Sequence, residues 1–259
     1  MRYVAIGDSF SEGMGDELPD GTVRGWTDLV AAGLSAGLAA KGETLEYANL
    51  AIRGRLLRPI VTTQLDAALA LQPRADLLTF NGGGNDMMRA GVDLAQLVAM
   101  IEEAVRRCVD AGVRPVVLSG ADPTAQLPFG RTIRKRGEYL TAASRELCAR
   151  HDVTFVDAFG DEEIRDHRYW SADRLHLNSA GHRRVAGLVL HALGYAEPPE
   201  PADSAAGTRR RMAENARYYR EHVLPWIQRR LRGRSSGDNR DPKYPSWELI
   251  EPAAQSPLP

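Results

Sequence analysis

Five short apolar runs, each followed by a stretch of helical character, limit this chain more than any other feature of its sequence. The runs lie at residues 3–6, 45–51, 75–80, 115–118 and 153–156. The first, Tyr3-Val4-Ala5-Ile6, is made of β-branched, small and aromatic residues without polar alternation, the pattern of a strand covered on both faces. Between the runs, apolar residues return at helical spacing. Trp26, Leu29, Val30, Leu34 and Leu38 mark one such face, and Leu94, Leu97, Val98, Ile101, Val105 and Val109 mark a longer one at 93–111. Further helices are expected at 59–71 and 134–150, and a closing helix to about residue 193 with Ser179 as its N-cap. Strands that alternate with helices and carry no polar face imply a parallel sheet with helices on both sides. The expected fold class is therefore α/β, a three-layer α/β/α sandwich with a parallel five-stranded sheet. No internal repeat is visible.

Sheets of this kind bind ligands beyond the carboxyl ends of their strands, so the residues that follow each run matter most. The first run ends in Gly7-Asp8-Ser9-Phe10-Ser11-Glu12-Gly13, which places Ser9 at a strand break, with a polar loop expected from there to Gly25. Alone, Gly-Asp-Ser is ordinary turn chemistry. The second run ends in Asn49-Leu50-Ala51-Ile52-Arg53-Gly54, where Gly54 can present a backbone N–H. The third leads into Asn81-Gly82-Gly83-Gly84-Asn85-Asp86, where glycines permit close backbone approach and the Asn85 amide can donate to a developing oxyanion. Far downstream, Asp173-Arg174-Leu175-His176 sets an aspartate three residues before a histidine. On a tight turn such a carboxylate fixes the imidazole tautomer and leaves the other ring nitrogen to deprotonate a serine.

These four blocks, in this order, resemble the SGNH branch of the GDSL esterases and lipases. The serine block matches at Ser9, the glycine block at Gly54, the asparagine block at Asn85, and the histidine block at His176 with Asp173. The resemblance covers about residues 1–195. It implies a flavodoxin-like sheet and hydrolysis of an ester or thioester of a small acyl substrate through an acyl-enzyme on Ser9. His176 would be base and then acid, Asp173 its orienting partner, and Ser9, Gly54 and Asn85 the oxyanion donors. No metal or organic cofactor is required. An acyltransferase with the same triad is the alternative, and a non-catalytic binding module a third reading, which loss of a triad member would favour; all are present. Two departures, Arg53 and Arg55 beside the glycine and the extra glycine with Asn81 in the asparagine block, bear on substrate preference.

The remaining residues have plainer readings. Asp8 supports the turn, Asp86 orients its loop, and Asp122 and Asp157 at strand ends are solvated polar residues, either of which is a distant substitute for Asp173. His151, His167, His182, His191 and His222 are surface or packing residues without metal-ligand spacing. The triple glycine lacks the lysine and the Gly-x-Gly-x-x-Gly pattern of a nucleotide site. A net charge of −1 carries no nucleic-acid or membrane signature, and no apolar run approaches the roughly 20 residues that span a bilayer. Cleavage of a leader at this end would remove Ser9, so a cytoplasmic location is expected, with Cys108 and Cys148 as buried reduced thiols.

The body is expected to occupy residues 1–197 and an extension residues 198–259. Pro198-Pro199-Glu200-Pro201 reads as a stiff linker or surface crossing. Residues 205–234 carry nine arginines against Glu214 and Glu221, a local +7 in a chain of net −1, which leaves −8 elsewhere. Met212, Ala216, Tyr219, Val223 and Trp226 share one side of a helix that Pro225 kinks, and this basic amphipathic helix is expected to pack on the acidic body. Beyond Gly237 an irregular segment is expected, with Tyr244 and Trp247 as anchors.

Overall fold

The structure, a computed structural model, describes residues 1–126, 130–201 and 237–252. Its centre is β1 (Arg2–Ile6), flanked by β2 (Leu45–Asn49) and β3 (Leu77–Asn81); β4 (Arg114–Leu118) and β5 (Thr154–Val156) extend the sheet beyond β3. All four pairings among these five strands are parallel. Because successive side chains point to opposite faces, β1 feeds two cores. Val4 and Ile6 join one core with Leu57, Ile60, Leu97, Ile101, Leu140 and Leu147, while Tyr3 and Ala5 join the other with Trp26, Val30, Leu34, Val185 and Val189.

Those partners define the outer layers. One layer holds α3 (Leu57–Pro59), a π-helical turn at Ile60–Gln64, α4 (Leu65–Ala70), α6 (Leu94–Asp110) and α7 (Gly130–Arg150). The other holds α2 (Trp26–Ala39) and α8 (Ser179–Ala192). Each buried Leu, Ile or Val contributes about 1.5–3 kcal/mol, so the layers are held mainly by this apolar contact. Cys108 on α6 and Cys148 on α7 are free and buried, and burial pushes both thiols up to about 12.

Four local expectations change. The region 59–71 is not one regular helix but α3, the π turn and α4 in succession. Residues after Ser9 do not enter a loop directly but form a single turn, α1 (Ser9–Glu12), capped by Asp8 and closed by Gly13 at φ 103°. The N-cap of α8 is Asn178 rather than Ser179, since the Asn178 side chain accepts from the Ala180 and Gly181 N–H groups. The fourth change concerns the sheet. Among the described residues it has six strands, because the segment expected to be irregular forms β6 (Tyr244–Ile250), antiparallel to β2.

β6 tolerates Pro245 because it is an edge strand and its register shifts between Tyr47 and Asn49, where a ladder bond is already interrupted. The two expected anchors are present: the Tyr244 ring meets Tyr47 edge-on at 5.7 Å, and Trp247 Nε1 donates to Pro73 O at 2.9 Å. Lys243 Nζ adds an ion pair to Asp28 at 2.6 Å. At the start of the extension, Pro199 crosses Gly187 of α8, and Arg184 donates to the Pro199 and Glu200 carbonyls. The expected basic helix at 205–234 lies outside the described residues.

Candidate active site

The break after β1 is built before Ser9 is reached. Gln64, in the π turn, accepts from the Gly7 N–H at 2.8 Å and donates to the Gly7 carbonyl at 2.9 Å, satisfying both backbone groups where the strand ends. A Cβ at Gly7 would lie 2.5 Å from Ser11 Oγ, so only glycine fits. Asp8 Oδ1 then accepts the Phe10 N–H, starting α1 and placing Ser9 as its first residue at the carboxyl edge of β1.

The loop after β2 comes back to the same place. Asn49, fully buried, donates to Ser11 O and Thr27 Oγ1 and accepts the Ala51 N–H, tying the end of β2 to α1. Ile52 N–H donates to Gly7 O. Glu12 Oε2 accepts the Arg53 N–H at 2.6 Å, and its other oxygen takes the Arg53 guanidinium. Gly54 follows at φ 74°, a conformation that favours glycine. Arg53 is thus a brace within the loop. Arg55 lies 3.9 Å from Asp238.

Asn85 reaches this point from α5 (Gly84–Met87), the turn after β3. Its Nδ2 donates to Asp8 Oδ2 at 3.1 Å and to Arg55 O at 3.0 Å, linking the three strand-end loops. Asp86 Oδ2 accepts the Leu57 N–H, so it does orient its loop. Burial pushes the Asp8 carboxyl up to about 6, opposed by the Phe10 N–H, the nearby His176 charge and the Asn85 amide, and reinforced by Asp86.

Asp173 and His176 sit in the loop before α8. Asp173 Oδ1 accepts from Ser171 Oγ at 2.6 Å and from the Leu175 and His176 N–H groups at 3.0 Å each. Its Oδ2 is 2.6 Å from His176 Nδ1. Burial acts to raise the Asp173 carboxyl, yet the His176 hydrogen bond and charge, with the Ser171 hydroxyl and the His176 N–H, hold it well below the usual carboxylate range. With Nδ1 turned to Asp173, Nε2 is the ring nitrogen that this pairing does not use. Gly15 makes room for this loop: a Cβ there would lie 2.1 Å from Leu177 O and 3.2 Å from His176 Cβ. The structure thus pairs His176 with Asp173 and links Asn85 to the Asp8 and Arg55 loops around Ser9 and Gly54. Among the described residues no hydrogen bond joins Ser9 to His176, a looseness common in substrate-free sites.

The plainer readings fare differently. Asp122 is 3 % exposed rather than solvated; Thr124 N–H and Oγ1 bind it, and Arg134 and Arg165 flank it at 3.8 and 3.6 Å. Asp157 is held by Ser119, the Gly160 N–H and Arg145. His222 lies outside the described residues, and among those described no three His, Cys, Asp or Glu side chains are grouped to hold a metal ion. Two supports carried no readable signal in the sequence. Gln64 sits in a helical stretch where any polar residue would read as surface, and Glu12 looks like the solvated end of a turn.

His182, also fully buried, ties α8 to the start of α2 and to the chain after α1: Nδ1 accepts the Trp26 N–H at 3.1 Å and Nε2 donates to Met14 O at 3.0 Å. Burial pulls this imidazole down to about 4. A histidine held neutral in the fold adds stability above its unfolded value of about 6.5, and loses it as pH falls towards 4. The shift corresponds to about 3 kcal/mol. Asp8, raised to about 6, acts with the opposite sign, stabilising the fold as pH falls from about 6 towards 3.8. The two overlap in the wild type, so the variant isolates His182. The gap in urea midpoint between wild type and His182→Gln should narrow steadily from pH 7 to pH 4; a constant gap would contradict the buried neutral imidazole.

A mostly parallel sheet covered by helices on both faces, with Ser9 at the break after β1 and the Asp173–His176 pair in the loop before α8, is an α/β arrangement with a polar cluster beyond its strand ends. Residues 5–184 match the GDSL-like lipase/acylhydrolase family model, and the chain belongs to that family of ester hydrolases. Solved structures share the fold. An acetylxylan esterase, Axe2, from Geobacillus stearothermophilus is 19 % identical with a TM-score of 0.61 over 76 % of this chain and 97 % of its own. TesA is 23 % identical with a TM-score of 0.58 over 74 % and 98 %, and the psychrotrophic esterase EstA from Pseudoalteromonas sp. is 16 % identical with a TM-score of 0.57 over 74 % and 96 %. No curated protein matches the chain by sequence. Among the described residues no helix is long and apolar enough to cross a membrane.

Proposed function

We propose that the chain hydrolyses carboxylic esters or thioesters of small acyl substrates through an acyl-enzyme on Ser9. The observation that carries this reading is the 2.6 Å bond between Asp173 Oδ2 and His176 Nδ1, which leaves Nε2 as the base. His176 Nε2 takes the Ser9 proton as Oγ attacks the acyl carbon, and then returns it to the leaving alcohol or thiol. Water, deprotonated by the same nitrogen, releases the acid and restores Ser9. The negative oxygen of each tetrahedral intermediate is held by the N–H groups of Ser9 and Gly54 and by the Asn85 amide. Asn85 Nδ2 has two hydrogens and both are engaged, by Asp8 and Arg55 O. One of these bonds is shared with or passed to the oxyanion as its charge develops, so the donation grows in the transition state.

The catalytic body on this reading is residues 1–197, with 198–259 as an extension, and free buried thiols at Cys108 and Cys148 fit a cytoplasmic protein. Acetylxylan, the substrate for which the esterase Axe2 is named, belongs in the first trial set. A fluorophosphonate should label Ser9 in the wild-type protein and nothing in Ser9→Ala. A panel of chromogenic esters and acyl thioesters of graded chain length should show turnover by unlabelled wild-type protein, and none by Ser9→Ala or by wild type already blocked with the fluorophosphonate. Labelling that survives Ser9→Ala would refute the mechanism, and product transfer to an added alcohol in preference to water would favour the acyltransferase.

A further inference from the structure

The extension returns to the sheet beside the Gly54 loop. Gly237 is buried there, and a Cβ on it would lie 2.0 Å from the Arg53 carbonyl oxygen and 2.8 Å from Ile52 Cγ2, so any larger residue collides with backbone. The Arg53 carbonyl and the Gly54 N–H belong to one planar peptide unit, in which they point in opposite directions. Whatever fixes the carbonyl therefore fixes the aim of the N–H. The neighbouring groups are already set: Glu12 holds the Arg53 N–H, Asn85 holds the Arg55 carbonyl, and Asp238 lies 3.9 Å from the Arg55 guanidinium. The turn itself is tethered by β6 and by Lys243, whose ammonium pairs with Asp28 and donates to Val23 O.

We infer that the Gly237–Asp238 turn positions the oxyanion pocket, seating the 53–54 peptide so that the Gly54 N–H faces the reacting carbonyl. Gly237 and Asp238 touch no substrate; they act through the loop they press on. The inference rests on Ser9 as nucleophile and Gly54 as oxyanion donor. It gives the extension a part in turnover, since a strand far from the serine in sequence aims a donor beside it.

The test uses the full-length chain and normalises rates to Ser9 titrated with fluorophosphonate. Gly237→Ala should lower kcat per titrated site by roughly tenfold or more, a partial version of the 10²–10³-fold typical for complete loss of one donor, with KM changed less than about twofold. A trifluoromethyl ketone, whose adduct with Ser9 carries the oxyanion, should lose affinity in the same proportion as kcat. Asp238→Lys, an exposed charge reversal opposite Arg55, should move both readings in the same direction by a smaller factor, and it decides the matter if Gly237→Ala does not fold. A drop only in melting temperature and titratable fraction, with kcat per site and ketone affinity unchanged, overturns the inference in favour of a purely structural strand. If wild-type Ser9 fails to label, the underlying mechanism falls and the inference with it; if wild-type Ser9 labels and both variants turn over normally, the inference alone falls.

Discussion

Ser9→Ala is expected to abolish ester turnover, by a factor on the order of 10⁴–10⁶, while the protein keeps its melting temperature to within a few degrees. The bonds that hold the break after β1 run through the Gly7 backbone, the Asp8 carboxylate and the Ser9 carbonyl, which accepts from Gly13 and Met14. None uses the Ser9 hydroxyl, and alanine at the first position of a helix costs nothing in propensity. His176→Ala should lose nearly as much activity, because the hydroxyl is a poor nucleophile without its base, and the double variant should lose no more than either single one. Steady-state rates on the best ester of the panel, with circular dichroism as the fold control, check this. Additive losses, or a His176→Ala protein within tenfold of wild type, would show that another group takes the proton.

The parts of the fold readable from sequence are those set by local pattern. Tyr3-Val4-Ala5-Ile6 has no polar face, so it has to be a covered strand, and the alternation of such runs with helices leaves few topologies. Ser9, Gly54 and Asn85 each follow a strand end, where topology brings loops together, whereas Asp173 and His176 are marked by their own three-residue spacing in the loop before α8. Contacts made between those loops are another matter. Gln64 clamps Gly7 across 57 residues, and Glu12 binds Arg53 across 41. Nothing in either local sequence separates a clamp from a surface side chain. Asp122 looked solvated for the same reason: the arginines that permit its burial come from α7 and from the loop after β5. β6 was hidden by its composition. Pro245 and the neighbouring prolines suggest irregular chain, and only the free edge of β2, with its shifted register, makes a strand of it.

The second large effect is expected from Asp173→Asn, and it follows from how the four bonds at this carboxylate are divided. Three donors converge on Oδ1, from Ser171, Leu175 and His176, while among the described residues Oδ2 faces His176 Nδ1 alone. An asparagine has one carbonyl oxygen to offer. Setting its oxygen towards the three donors preserves the turn, and the alternative sets an NH₂ group against all three. The amide nitrogen therefore faces the ring and donates to Nδ1, which must then be the unprotonated nitrogen. The proton moves to Nε2, the atom that has to receive the Ser9 proton, and the base is disabled in its resting state. A loss in kcat of about 10³–10⁴-fold is expected at neutral pH, with the fold and KM little changed, and with more activity left than in Ser9→Ala or His176→Ala because the imidazole is still present. Nitrogen chemical shifts of the His176 ring should report the exchange of tautomer directly. An Asp173→Asn protein that keeps the Nδ1–H tautomer and turns over like the wild type would remove Asp173 from the mechanism and leave His176 oriented by its backbone alone.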